Sequence, residues 1–148
     1  MAAFAAATVL SQQPSTRLWV GTWKRNLAKS SYSPGPAPTA EQTVTMEIVD
    51  GLLHVTENSF SAQGQPTRTA YIVNFDGTEQ AVDPAQGLTR TYRWIDERKF
   101  EGVNYVLREE TTMIEYALAA DGTSYTLTTS GITAQGQLVH NVVIYEKQ

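Results

Sequence analysis

Turn signals cut this chain into short runs from residue 43 onward, and that spacing constrains the fold more than anything else in the sequence. The run 43–49 alternates apolar and polar side chains, and Asp50-Gly51 is a two-residue hairpin signal. A matching run at 53–57 follows it, and Ala62-Gln63-Gly64-Gln65-Pro66 turns the chain again. Further runs follow at 69–75, 80–82, 89–95, 100–108, 112–119, 124–130 and 138–145, all but 100–108 and 112–119 parted by a turn signal: Asp76-Gly77, Asp83-Pro84, Asp96-Glu97-Arg98, Asp121-Gly122 and Ala134-Gln135-Gly136-Gln137. With a first strand at 19–25 this makes about ten strands, and no window of about 11 residues beyond the N-terminal arm holds a helical period. Consecutive hairpins build an up-and-down antiparallel sheet, and closing that sheet removes its exposed edges. The expected fold is all-β: a single closed up-and-down antiparallel barrel of about 8–10 strands. The turn Ala-Gln-Gly-Gln occurs twice, and because its flanking strands differ it reads as repeated turn chemistry rather than duplication.

The 148 residues suit one domain with one core. A net charge of −4 and no lysine or arginine cluster argue against a nucleic-acid surface. With no cysteine, the chain has no disulfide, thiolate metal site or cysteine nucleophile. No apolar run approaches the roughly 20 residues of a spanning helix. Residues 1–17 read as an N-terminal arm or signal-peptide remnant: an apolar, alanine-rich start, then a polar stretch with Pro14. That favours a periplasmic or secreted protein over a cytoplasmic one. The barrel domain is expected over 18–148.

The barrel would begin at Leu18-Trp19-Val20-Gly21-Thr22-Trp23-Lys24-Arg25-Asn26. Gly21 permits a sharp turn or a close approach, and Trp23 is large enough to plug one barrel end if its ring N–H finds an acceptor. This Gly-x-Trp start, continued through Asn26-Leu27-Ala28-Lys29-Ser30 and the closing Val142-Val143-Ile144-Tyr145-Glu146-Lys147-Gln148, resembles the bacterial lipocalin-like domain family of the calycin superfamily. The resemblance implies a barrel around a small-molecule cavity and leaves the ligand unnamed. Residues 27–40 read as a long loop, because Pro34, Pro36 and Pro38 exclude a helix and favour an extended path. A loop of that length is a candidate lid, with Tyr32 as its aromatic anchor.

Aromatic side chains fall on successive strands. Tyr71, Tyr92, Trp94, Tyr105 and Tyr116, with Tyr32 from the lid, are the candidate ligand-lining residues: apolar walls with a few hydroxyls. A packed core without a cavity would use the same positions. His54 and His140 stand 86 positions apart with no carboxylate cluster, so no metal site is expected. Arg93, Arg108, Glu109, Glu110 and Glu115 are charged residues on or beside strands, mostly explicable as solvated outer-face groups. Neighbours 109 and 110 point to opposite faces, so one carboxylate is a candidate for the interior.

The expected function is binding of a small, largely hydrophobic molecule in the barrel. The alternative is a cofactor-independent isomerase, cyclase or lyase of the same fold, using His140, Glu110 and Tyr105. Neither reading requires a cofactor or a metal. The partner is a small hydrophobic ligand or substrate, not nucleic acid, and the sequence leaves the oligomeric state open.

Overall fold

The computed structural model describes residues 16–148. A short 3₁₀ turn, Arg17–Trp19, leads into ten strands: β1 Gly21–Ser33, β2 Thr43–Val49, β3 Leu52–Phe60, β4 Pro66–Val73, β5 Gln80–Asp83, β6 Leu88–Asp96, β7 Lys99–Val106, β8 Glu109–Leu118, β9 Ser124–Ile132 and β10 Leu138–Lys147. They form one antiparallel sheet in the order β4-β3-β2-β1-β10-β9-β8-β7-β6-β5, a meander joined through β1 and β10. The outermost strands, β4 and β5, come back against each other without a ladder, so the barrel is nearly closed.

The expected turns form as read. Asp50 and Gly51 both take positive φ (51° and 78°), the backbone of a two-residue hairpin turn whose twist suits the flanking strands. The two Ala-Gln-Gly-Gln segments close identically: Ser61 N–H bonds the Gln65 carbonyl and Thr133 N–H bonds the Gln137 carbonyl, each at 2.8 Å. One turn has no such sequence signal. Leu107 and Arg108 join β7 to β8 with φ of 49° and 70°, a left-handed pair that costs non-glycine residues about 1–2 kcal/mol each.

Strand β1 corrects the sequence reading, which ended it at 25 and opened the loop at 27. It continues to Ser33 through a bulge against β10, where register breaks between Asn26 and Ser31. Within the bulge the Ser30 hydroxyl donates to the Asn26 carbonyl and accepts from Ile144 N–H, replacing the lost ladder bonds. Only 34–42 remains as loop. Of the N-terminal arm expected over 1–17, residues 1–15 lie outside the described residues. Residue 17 opens the 3₁₀ turn.

The interior is aromatic. Trp19 and Trp23 are fully buried at one end of the barrel. Trp23 Nε1 donates to the Trp19 carbonyl (3.1 Å), and Trp19 Nε1 donates to the Glu97 carbonyl (3.2 Å). Both ring N–H groups are thereby satisfied, as burial of tryptophan requires. Phe100 packs edge-on to Trp19 at 4.8 Å and stacks on Tyr116 at 4.4 Å, while Tyr125 stacks on Tyr145 at 4.7 Å. The tryptophan end is thus filled by side chains. The opposite end, ringed by loop 34–42 and the turns at 61–65, 84–87, 107–108 and 133–137, is the mouth.

Candidate functional site

Above the packed rings, the interior becomes polar around one cation. Strand alternation turns Arg90 and Tyr92 inward on β6, and their partners Asn104 and Gly102 inward on β7. Arg90 is only 9% exposed. Its Nε donates to Asn104 Oδ1 (2.6 Å) and its Nη1 to the Tyr92 hydroxyl (3.2 Å). Asn104 Nδ2 in turn donates to Thr112 Oγ1 at 2.9 Å. The guanidinium carbon lies 5.8 Å from the Tyr71 ring centre and 5.7 Å from that of Tyr92, within cation–π range.

Gly102 makes this arrangement possible. A Cβ there would lie 3.2 Å from both Cγ and Cδ of Arg90, so the arginine stem occupies the volume a side chain would fill.

A carboxylate also meets Tyr71, at its hydroxyl. Glu57, half-buried on β3, faces inward in register with Val44 and Thr69. The Tyr71 hydroxyl donates to Glu57 Oε1 at 2.8 Å. Arg90 and Glu57 therefore flank one tyrosine rather than meeting in a salt bridge, and Arg90 forms no ion pair among the described residues.

Burial raises the tyrosine pKa values here, because a phenolate would lose its hydration. Tyr71 is raised well above its usual value, chiefly by burial and then by Tyr116 and Glu57. Tyr92 and Tyr116 are raised by burial too, with Arg90 opposing. For Arg90, burial disfavours the cation, but the surrounding Tyr116, Tyr92 and Tyr71 outweigh it and its pKa rises. The site holds a permanently charged guanidinium among neutral hydroxyls.

A second cation enters from β1. Arg25 faces Tyr145 across the β1–β10 pair and donates to Gln42 Oε1 (3.3 Å) and the Ala40 carbonyl (2.5 Å). The Tyr145 hydroxyl also donates to Gln42 Oε1, at 2.6 Å, and the Ser59 hydroxyl holds the Glu41 carbonyl at 2.8 Å. These bonds fix the stem of loop 34–42 to the barrel.

One cleft reaches the polar interior, and another lies on the outer face of the β4–β5 seam. At the mouth, Leu88, Val106, Asn104, Thr111, Thr112 and Thr133 line an open cleft of about 460 Å³ floored by the Asn104–Thr112 pair. At the β4–β5 seam, Leu52, Ala70, Tyr71, Ile72 and Ala81 line another of about 480 Å³.

Of the sequence candidates, Tyr71, Tyr92 and Tyr116 are brought together around Arg90. Tyr32 is half-buried nearer the mouth, opposite Asn141 of β10. Trp94 belongs to the packed end instead, 4.7 Å edge-on to Phe75 and stacked over Phe100. Tyr105 is a correction. It pairs with Thr89, one position off the inward Arg90–Asn104 pair, and so turns to the outer face. Glu110, opposite Tyr105, is exposed, and His140, opposite Ser130, is exposed on the outside of β10. The three side chains of the enzyme alternative therefore stand outside the barrel. Tyr105 follows from the alternation of β7, whereas an extra residue of β8 in its pairing with β7 sets Glu110 opposite Tyr105 and the face chosen by β10 turns His140 outward, and neither of these is visible in the alternation alone. Arg93, singled out among the charged residues, pairs with Glu101 on the outer surface.

Sequence reading passed over Arg90, Glu57, Asn104 and Thr112. A signal for two of them existed. Arg90 lies two positions before Tyr92 and Glu57 two after Val55, so each shares the face of inward residues.

No family model and no curated protein matches this chain. Among the described residues, no helix is long and apolar enough to cross a membrane, and no group of histidines and carboxylates is placed to hold a metal ion.

Proposed function

We propose that the barrel binds a small, largely hydrophobic molecule through its mouth, with an anionic or strongly polar end set against Arg90. The observation that carries this reading is the state of Arg90: buried, charged, and partnered only by neutral groups. A guanidinium taken out of water without a counter-ion is costly, and replacing such a group by an apolar side chain is often neutral or favourable for folding. Retaining it suits a ligand that supplies the missing negative charge. The mouth cleft supports the apolar part of the reading. Its volume falls in the range of small-molecule sites, and Leu88 and Val106 give it apolar walls beside the polar floor. Loop 34–42, tied down by Arg25 and Ser59, is the lid in this reading.

Dodecanoate and dodecanol, titrated separately into the protein and followed by backbone amide chemical shifts, test it. Dodecanoate is expected to shift amides of β6, β7 and β8, and dodecanol to bind at least about tenfold more weakly, the share of one hydrogen bond to a charged group. Arg90→Met should erase that preference. Equal affinity for acid and alcohol, or shifts confined to the tryptophan end, would sink the reading.

A further inference from the structure

The dipeptide Asp-Gly stands at three turns of the barrel, 50–51, 76–77 and 121–122. It is the least hindered setting for one reaction of the chain with itself. The glycine nitrogen can attack the preceding side-chain carboxyl, because no Cβ shields it. The three sites are equal in sequence, and the structure keeps them equal in two further respects. Each glycine has a positive φ (78°, 81° and 71°), and a Cβ on any of them would meet nothing within 4 Å.

Hydrogen bonds separate them. Asp76 Oδ1 accepts from the Thr78 N–H (2.9 Å) and hydroxyl (2.7 Å), and its Oδ2 accepts from Asn74 Nδ2 (3.2 Å). Asp121 Oδ1 accepts from the Thr123 N–H (3.0 Å) and hydroxyl (2.9 Å). The attacking nitrogen there is committed as well, since Gly122 N–H donates to the Ala119 carbonyl at 2.9 Å. These bonds also lower both pKa values, at Asp76 chiefly through the Thr78 hydroxyl and at Asp121 chiefly through the Thr123 N–H. The reaction consumes the neutral acid, because the carboxyl oxygen departs as water only when protonated, so a lowered pKa protects further. Asp50 has neither safeguard. It is exposed, and among the described residues no hydrogen bond reaches its carboxylate or the Gly51 N–H.

We propose that Asp50-Gly51 is a modification site, where aspartate converts spontaneously through a cyclic imide to isoaspartate. The Gly51 nitrogen bonds to Asp50 Cγ, the Cγ–OH bond breaks, and one water leaves with the amide proton. Water then opens the imide at either carbonyl. Opening at the side-chain carbon restores aspartate. Opening at the main-chain carbon leaves the chain running through Cβ and Cγ, with the former main-chain carboxyl as the side group. Nothing is oxidised or reduced, and the water lost is regained. The product lengthens by one backbone atom a two-residue loop that closes the Val49–Leu52 pair of β2 and β3, so the end of this hairpin is the part it disturbs.

Incubation of the folded protein at neutral pH in heavy-oxygen water tests this. Each cycle of imide formation and opening leaves one heavy oxygen at the aspartate that reacted. Arg68 parts Asp50 from Asp76 and Arg90 parts Asp76 from Asp121, so trypsin places the three on separate peptides for mass spectrometry. Label at Asp50 is expected to exceed that at Asp76 or Asp121 at least about tenfold, the share of one hydrogen bond to a charged group that must first break. Part of the labelled Asp50 peptide should resist an aspartate-specific protease, as an isoaspartyl bond does. In urea the three sites should label alike. Thr78→Val and Thr123→Val, each checked for folding by near-ultraviolet circular dichroism, should raise label at Asp76 and Asp121 respectively and leave Asp50 unchanged. Absence of an excess at Asp50 in the folded protein, or labelled Asp50 peptide that the protease cleaves in full, overturns the proposal. An equal excess in urea does so too, because sequence rather than fold would then set the preference.

Discussion

At position 102 an absent side chain seats the buried cation Arg90. The inward face of β7 offers Phe100, Gly102 and Asn104 in succession, and Arg90 crosses from β6 over the gap at 102 to reach Asn104. Gly102→Ala would put a Cβ 2.6 Å from the Thr91 carbonyl oxygen, a backbone atom that has little freedom to yield, as well as against the arginine stem. The expected cost is about 1–3 kcal/mol, the usual penalty for overpacking, read as a lower urea midpoint at unchanged slope. Dodecanoate affinity should fall in the same variant, whereas an outer-face substitution such as Met113→Ala should change neither. This part of the site was only half legible in the sequence. The three tyrosines around Arg90 announced themselves by type and by the alternation of their strands. Arg90 and Glu57 shared that alternation, but charged residues on strands usually face water, and only the packed neighbours of these two show that they do not.

At the scale of elements, hairpins were legible because their turns carry chemistry: Asp-Gly pairs, and glycines at the left-handed position of the longer turns. The extension of β1 through Ser33 was not, since the serine-supported bulge that carries the strand past Asn26 needs β10 beside it to exist. Nor was the seam between β4 and β5. There the side-chain amide of Gln80 stands in for a ladder rung, accepting from Asn74 N–H at 2.9 Å and donating to the Asn74 carbonyl at 2.6 Å. Elsewhere each strand holds its neighbour through a run of backbone bonds, so this clasp should be the place where the barrel opens first. Gln80→Ala is expected to lower stability by about 1–2 kcal/mol and to raise the hydrogen-exchange rate at the Asn74 amide. Amides in the β8–β9 pair should keep their protection. Uniform acceleration across both regions would mean that the seam unfolds only with the whole barrel.

The whole molecule is organised as a stack of rings that is dry at one end and becomes hydroxylated toward the mouth, and this gradient fixes its response to alkali. Tyr71, Tyr92, Tyr116, Tyr125 and Tyr145 all have pKa values raised above the usual 10.0, with burial the first cause in each. A tyrosine whose folded pKa exceeds its unfolded one holds its proton more tightly in the folded state. The stability it contributes is complete below about pH 10 and drains away as pH climbs toward the folded value. Each such group removes at most about 1.4 kcal/mol per pH unit, and only between its unfolded and folded values, so five acting together remove at most about 7 kcal/mol per unit. Against a typical domain stability of about 5–15 kcal/mol, unfolding is expected within one to two units above pH 10. Phenolate absorbance from these five rings should then rise in the same cooperative step as the loss of β-sheet circular dichroism. Replacing Tyr125 by Phe, which removes a hydroxyl with no role at Arg90, should move that step to higher pH and make it less steep. Titration of the five rings while the sheet remains intact would show that water reaches the interior in the folded state. The same dryness that forbids a phenolate keeps Tyr92 and Tyr116 neutral, so at physiological pH they can solvate a ligand's charge beside Arg90 without cancelling the cation that attracts it.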